Sequence, residues 1–112
     1  MLTIETLTEY GANTKEGLDR CFGNQELYFT LIKTVPTEPA FDRLSDAIGK
    51  NDLEQAFEQA HALKGVLGNL SLTPLYEIAS EMTELLRNRT EMDYTELLNR
   101  LLEKKDALNA LL

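Results

Sequence analysis

The stretch Ala60 to Leu70, AHALKGVLGNL, holds the only histidine of the chain, His61. Lys64 follows three residues later, with Gly65 and Gly68 close behind. A neutral imidazole is a competent nucleophile near pH 7. An ammonium at i+3 on a helix is its surface neighbour, and its three donors and positive charge suit a phosphoryl group held on the ring. Phosphoryl transfer asks mainly for alignment and charge compensation. The stretch offers both, but the sequence brings no nucleotide pocket and no carboxylate cluster for a metal. The remaining transfer machinery must come from a partner.

Those residues need a helix, and the surrounding pattern supplies one. At about 100° per residue, Leu53, Ala56, Phe57, Ala60, Leu63, Leu67 and Leu70 gather on one side. His61 falls about 125° from the centre of that apolar side, so it faces solvent. Gly65 and Gly68 lie within about 40° of His61 and Lys64 about 60° to the other side. A glycine inside a helix costs roughly 0.5–1 kcal/mol against alanine. Two of them beside one histidine and a lysine clear a flat strip on which something large could lie. A surface histidine, a glycine for close helix packing and another at a kink would each explain one feature, but not the four together.

Composition narrows the classes. With 112 residues and 43% hydrophobic content, the chain suits one domain, residues 1–112, with one core. Eleven basic residues against nineteen acidic ones give a net charge of −8, which disfavours nucleic acid and anionic lipid as partners. No apolar run approaches the roughly 20 residues of a membrane span, and the N-terminus MLTIETLTEY is no signal peptide. A lone Cys21 excludes an internal disulfide and fits a reducing, cytoplasmic setting. One His and one Cys do not make a structural zinc site, and no G-x-S-x-G motif is present.

The periodicity predicts an all-α chain without strands or internal repeats. A short helix runs from Thr3 to Tyr10 and ends at Gly11; a second short turn is capped by Asn13 or Thr14 and closed by Gly23. Longer helices are expected at 24–36, capped by Asn24, at 38–49, stopped by Gly49, and at 52–70. Two more follow at 74–88, with Thr73 as cap and Pro74 in the first position, and at 93–111. Short connections make neighbours antiparallel. The expected fold is an antiparallel up-down four-helix bundle with short extra N-terminal helices. The helices at 24–36, 38–49, 52–70 and 74–88 carry much of the core and 93–111 completes it.

At His61-Ala62-Leu63-Lys64-Gly65 the sequence resembles the H-x-x-K-G pattern of the histidine-containing phosphotransfer (HPt) domain family, with Gly68 at another of its small positions. Gly17-Leu18, Gly23 to Tyr28 and the turn Gly49-Lys50-Asn51-Asp52 are similar as well, so that the likeness spans roughly residues 10 to 90. Where family members often have a glycine about ten residues after the histidine, this chain has Ser71. The resemblance implies a bundle that carries phosphate between aspartates of response-regulator receiver domains in a multistep phosphorelay, fed by a hybrid sensor histidine kinase. By it, His61 is phosphorylated, Lys64 compensates the phosphoryl charge, and Gly65 and Gly68 let the receiver approach. Thr83 or Arg87 would supply the polar neighbour that many members place near the imidazole. No cofactor is expected in this chain; Mg²⁺ belongs to the partner receiver. The carrier has no turnover of its own, is a monomer, and reads as a complete small protein rather than a fragment of a hybrid kinase.

Other classes compete. A helical adaptor would bind a signalling partner without phosphate transfer, and would need an exposed apolar stripe. A small hydrolase using His61 as general base would need a nucleophile and a concave pocket, where a flat strip is expected. The phosphate-accepting domain of a chemotaxis-type kinase would take its phosphate from an ATP-binding domain that this chain does not contain.

Overall fold

A computed structural model, describing residues 1–112, resolves the sequence pattern into seven α-helices and one 3₁₀ turn, without strands. They are α1 (Ile4–Tyr10), α2 (Thr14–Arg20), α3 (Gln25–Lys33), the 3₁₀ turn Val35–Thr37, α4 (Pro39–Gly49), α5 (Leu53–Asn69), α6 (Thr73–Arg87) and α7 (Thr95–Asn109). Of the two expected caps Asn13 and not Thr14 starts α2, Asn24 starts α3 as expected, and Asp52 starts α5. The side-chain oxygen of each accepts from a backbone N–H three residues on, at 3.2, 3.0 and 3.1 Å, a bond of the kind whose loss costs about 1 kcal/mol. Thr3 and Thr6 form a reciprocal cap on α1, and Gly11, at φ 114°, closes it in a conformation that side chains resist.

The four-helix bundle is α4, α5, α6 and α7. α5 packs between α4 and α6, and α7 closes the ring against both α6 and α4. The helix expected at 24–36 is therefore not one of the four. It ends at Lys33, and Pro36 turns the chain through the 3₁₀ segment, because proline lacks the N–H a continuing helix would use. That segment rests on α7. One hydrophobic cluster runs through the whole arrangement, from Leu7 of α1 to Leu108 of α7. No helix is long and apolar enough to cross a membrane.

Two expected helix boundaries shift. Gly49 is the last helical residue of α4 and not its stop; Asn51 takes the left-handed conformation, at φ 56°, as asparagine readily does. Thr73 does not cap α6. Ser71 turns the chain at φ 54°, Leu72 is the capping residue and is fully buried, and Thr73 is already helical. No side chain caps α6.

α1 and α2 are clipped to the end of α5. The Asn13 N–H donates to the Ser71 carbonyl at 2.9 Å, and the Ser71 hydroxyl bonds the Glu16 carboxylate at 3.0 Å. From α3, the buried Tyr28 hydroxyl donates to the Leu70 carbonyl at 2.8 Å. Gly17 of α2 lies against that ring: a Cβ there would come within 2.4 Å of Tyr28. The requirement for glycine at 17 is thus one of close approach.

Candidate functional site

α5 buries Ala56, Ala60, Leu63 and Leu67 and leaves His61 exposed, as the helical wheel requires. Lys64, one turn on, is half-buried. The molecule's four ion pairs engage Arg20, Lys50, Arg87 and Arg100, so the Lys64 ammonium is unpaired.

The two glycines do different things. A Cβ built on Gly65 meets nothing within 4 Å, so the surface beside the imidazole is open there. A Cβ on Gly68 would stand 3.1 Å from Cε1 of Tyr76, whose ring reaches across from α6. Gly68 therefore makes room for Tyr76 as well as lowering the surface.

The strip is not flat. His61, Lys64, Gly65, Gly68 and Tyr76 form one side of a groove of about 530 Å³, and Asn13, Glu16 and Arg20 of the α2 region form the other. The wall exists because of the clip between α2 and Ser71. Ser71 occupies the place where the related family often has glycine and adopts the left-handed backbone that glycine would serve, at φ 54°. Its hydroxyl then holds Glu16. Glu16 in turn pairs with Arg20 at 3.3 Å. Only one of the eleven lining residues is hydrophobic, whereas small-molecule sites are walled mainly by apolar side chains. The groove suits a protein surface carrying an anion better than a small substrate. Of the lining hydroxyls, Ser71 is bound to a carboxylate and Thr73 to a backbone carbonyl, and neither these nor the Tyr76 phenol makes a nucleophile–base pair with the imidazole.

Thr83 and Arg87 behave unlike each other. Thr83 is fully buried, and its hydroxyl donates to the Ala79 carbonyl at 2.7 Å within α6. It faces the core, since it follows Ala79 at i+4 on the buried side of that helix, and does not reach the exposed imidazole. Arg87 is exposed, pairs with Glu84 at 3.4 Å, and lays its guanidinium 5.1 Å from the centre of the Phe57 ring. Phe57 itself stacks on His61.

Sequence reasoning missed this second set. Phe57 belongs to the core stripe of the wheel and is half-buried against the core; its place between the apolar centre and His61 is the signal the sequence offers. Arg89 and the α2 wall left no signal, because they reach the site only through the fold, and the aromatic Tyr76 could not be placed beside the imidazole from sequence alone.

Compared with known families, residues 31–111 match the family model of the Hpt domain. The match extends further toward the C-terminus than the expected span of 10 to 90 and leaves out α1, α2 and most of α3. The groove wall of Asn13, Glu16 and Arg20 thus lies outside it. No curated protein and no solved structure matches the chain.

Proposed function

This chain, matched over well more than half its length, belongs to the Hpt domain family, and from that footing we propose that it relays a phosphoryl group on His61 between aspartates of receiver domains. Hpt domains are histidine-phosphotransfer modules of two-component signalling; they are phosphocarriers rather than catalysts and work with receiver domains and histidine kinases. The observation that carries the finer reading is one exposed imidazole at the rim of an open polar groove. Beside it lie an unpaired ammonium and a glycine with clear space over it.

A receiver carrying an aspartyl phosphate, with Mg²⁺ in its own site, docks on the groove. Nε2 of the neutral imidazole directs its lone pair at phosphorus and forms the P–N bond. The P–O bond to the aspartate breaks in line, and its electron pair stays on that carboxylate. The other ring nitrogen keeps its proton, so the ring becomes formally cationic as the anion arrives. Lys64 offsets the phosphoryl charge, a contribution typical of positioned cations in such transfers. Gly65 admits the receiver backbone, and Gly68 keeps Tyr76 low enough not to obstruct it. Reversal of the same step onto a second receiver completes the relay. The protein works as a monomer in the cytoplasm and needs no cofactor of its own.

Incubation with phosphorylated receivers from the same genome tests this. Wild-type protein should gain an acid-labile label, and His61→Gln should gain none. Acid-labile label retained on His61→Gln would falsify the assignment. Stable binding to a receiver without any label on the wild type would turn the reading to a helical adaptor.

A further inference from the structure

Phe57 lies one turn before His61 on α5, and its ring faces the imidazole with centroids 5.7 Å apart and planes inclined by 15°. Near-parallel rings at that separation form an offset stack. The same phenyl ring carries two guanidiniums, with Cζ of Arg87 5.1 Å and Cζ of Arg89 5.5 Å from its centroid. Both are inside the range of about 6 Å over which a cation is attracted to an aromatic face.

Each part is held in place. Phe57 is half-buried and packed against the core. Arg89 follows the end of α6 in a left-handed backbone, at φ 52°, and its Nη1 donates to the Leu86 carbonyl at 2.7 Å. A residue as bulky as arginine does not choose that backbone by itself; the carbonyl bond and the ring contact accompany it. Arg87 is tethered by Glu84.

We infer that Phe57 is a positioning residue for phosphoryl transfer at His61, and that Arg87 and Arg89, docked on its ring, form a cationic rim for the arriving anion. The inference rests on His61 being the phosphorylated residue. An exposed imidazole that turns freely presents its lone pair in many directions, while in-line attack accepts few. A ring stacked one turn back limits the plane the imidazole adopts and so the direction of its nitrogens. The rim answers a second difficulty. The chain carries a net charge of −8, which opposes the approach of a phosphoryl anion and of an acidic partner. Lys64 and Arg89, both unpaired, and Arg87, shared with Glu84, place cations beside this one ring system, where the local field counts most.

Intact protein is labelled with phosphoramidate, a small donor whose P–N bond breaks with loss of ammonia, and in parallel with a phosphorylated receiver. Three variants are compared with wild type: Phe57→Leu, Phe57→Tyr and the double change Arg87→Gln with Arg89→Gln. Phe57→Leu should keep a cooperative thermal transition, label about tenfold more slowly, and lose the ring-current displacement of the His61 imidazole proton resonances. Phe57→Tyr should restore both rate and resonances, which a merely space-filling role would not require. The arginine pair should slow labelling about two- to fivefold. A folded Phe57→Leu protein with wild-type rates and unmoved resonances overturns the positioning role. Should Phe57→Leu fail to fold, the exposed arginine pair decides: slowed labelling supports the platform and unchanged labelling overturns it. If neither donor labels wild type, it is the reading of His61 that fails; labelling that is equal in wild type and variants sinks the platform alone.

Discussion

The two flanks of His61 are built in opposite ways. On one side the chain takes material away: Gly65 has nothing above it, Gly68 yields to Tyr76, and α2 stands back as a polar wall. On the other side it adds material, with Phe57 against the imidazole and two guanidiniums on Phe57. In the proposed relay the open flank would govern who can approach, and the built-up flank what the ring does once approached. A single helix presents both, because residues four apart stand beside each other while those on the far side of the wheel pack the core.

The difference can be broken, and the largest effect should come from filling the open flank. Gly65→Leu places a branched side chain in the open space over which the proposed receiver backbone would lie. Receiver-dependent transfer should fall by about a hundredfold while labelling by phosphoramidate, which needs no docking, changes little. Stopped-flow or gel-based transfer assays with both donors would show the split, and equal losses would mean the two flanks are not separable.

Next comes the wall. Gly17→Val would force a Cβ to within 2.4 Å of the Tyr28 ring, and overpacking of that kind costs about 1–3 kcal/mol. Amide exchange should accelerate over α2 and leave α5 and α6 protected. Uniform acceleration would show that wall and bundle open together.

Tyr28→Phe is a milder version. It removes the hydroxyl bond to Leu70, worth about 1 kcal/mol at neutral pH. Burial, with the charges of Cys21 and Glu16 adding, pushes the Tyr28 phenol up to about 12 from its ordinary 10. A phenol raised in the folded state contributes stability that is whole below pH 10 and is lost as pH climbs from 10 through 12. Denaturation of the wild type should therefore steepen across that window. Tyr28→Phe should lose this part of the dependence; an unaltered alkaline limb would assign it elsewhere. Burial raises the Tyr10 phenol too, so some alkaline sensitivity should persist.

The smallest effect has the opposite sign. Gly65→Ala meets no atom within 4 Å and should stabilise α5 by about 0.5–1 kcal/mol, seen as a higher thermal midpoint. A more stable protein that transfers more slowly would show that the open flank is retained at the expense of stability. A faster one would show that the clearance serves nothing.

The helices were legible in the sequence where caps and prolines mark them. Asn13, Asn24 and Asp52 start helices because their side chains replace missing backbone partners, a local matter. The outward aim of His61 followed from periodicity alone. What escaped depended on long-range contact. Thr83 is the exception: it follows Ala79 by four and precedes Leu86 by three on α6, and that spacing already turns it into the core and away from the imidazole. The groove wall comes from residues far upstream, joined to α5 through a turn at Ser71 that looked in the sequence like a departure from the family pattern. Phe57 read as core because half of it is core; its stack with His61 and its two guanidiniums required the end of α6 to be placed.

Cys21 lies buried where α2 gives way to the turn before α3, and it is the only thiol in the chain. A thiol reagent can reach it only when that corner lifts. Its rate of modification under native conditions is therefore a clock for the corner alone, readable by mass without altering a single residue. Run with and without a docked receiver, the clock would time how long the wall stands while the visitor is in place.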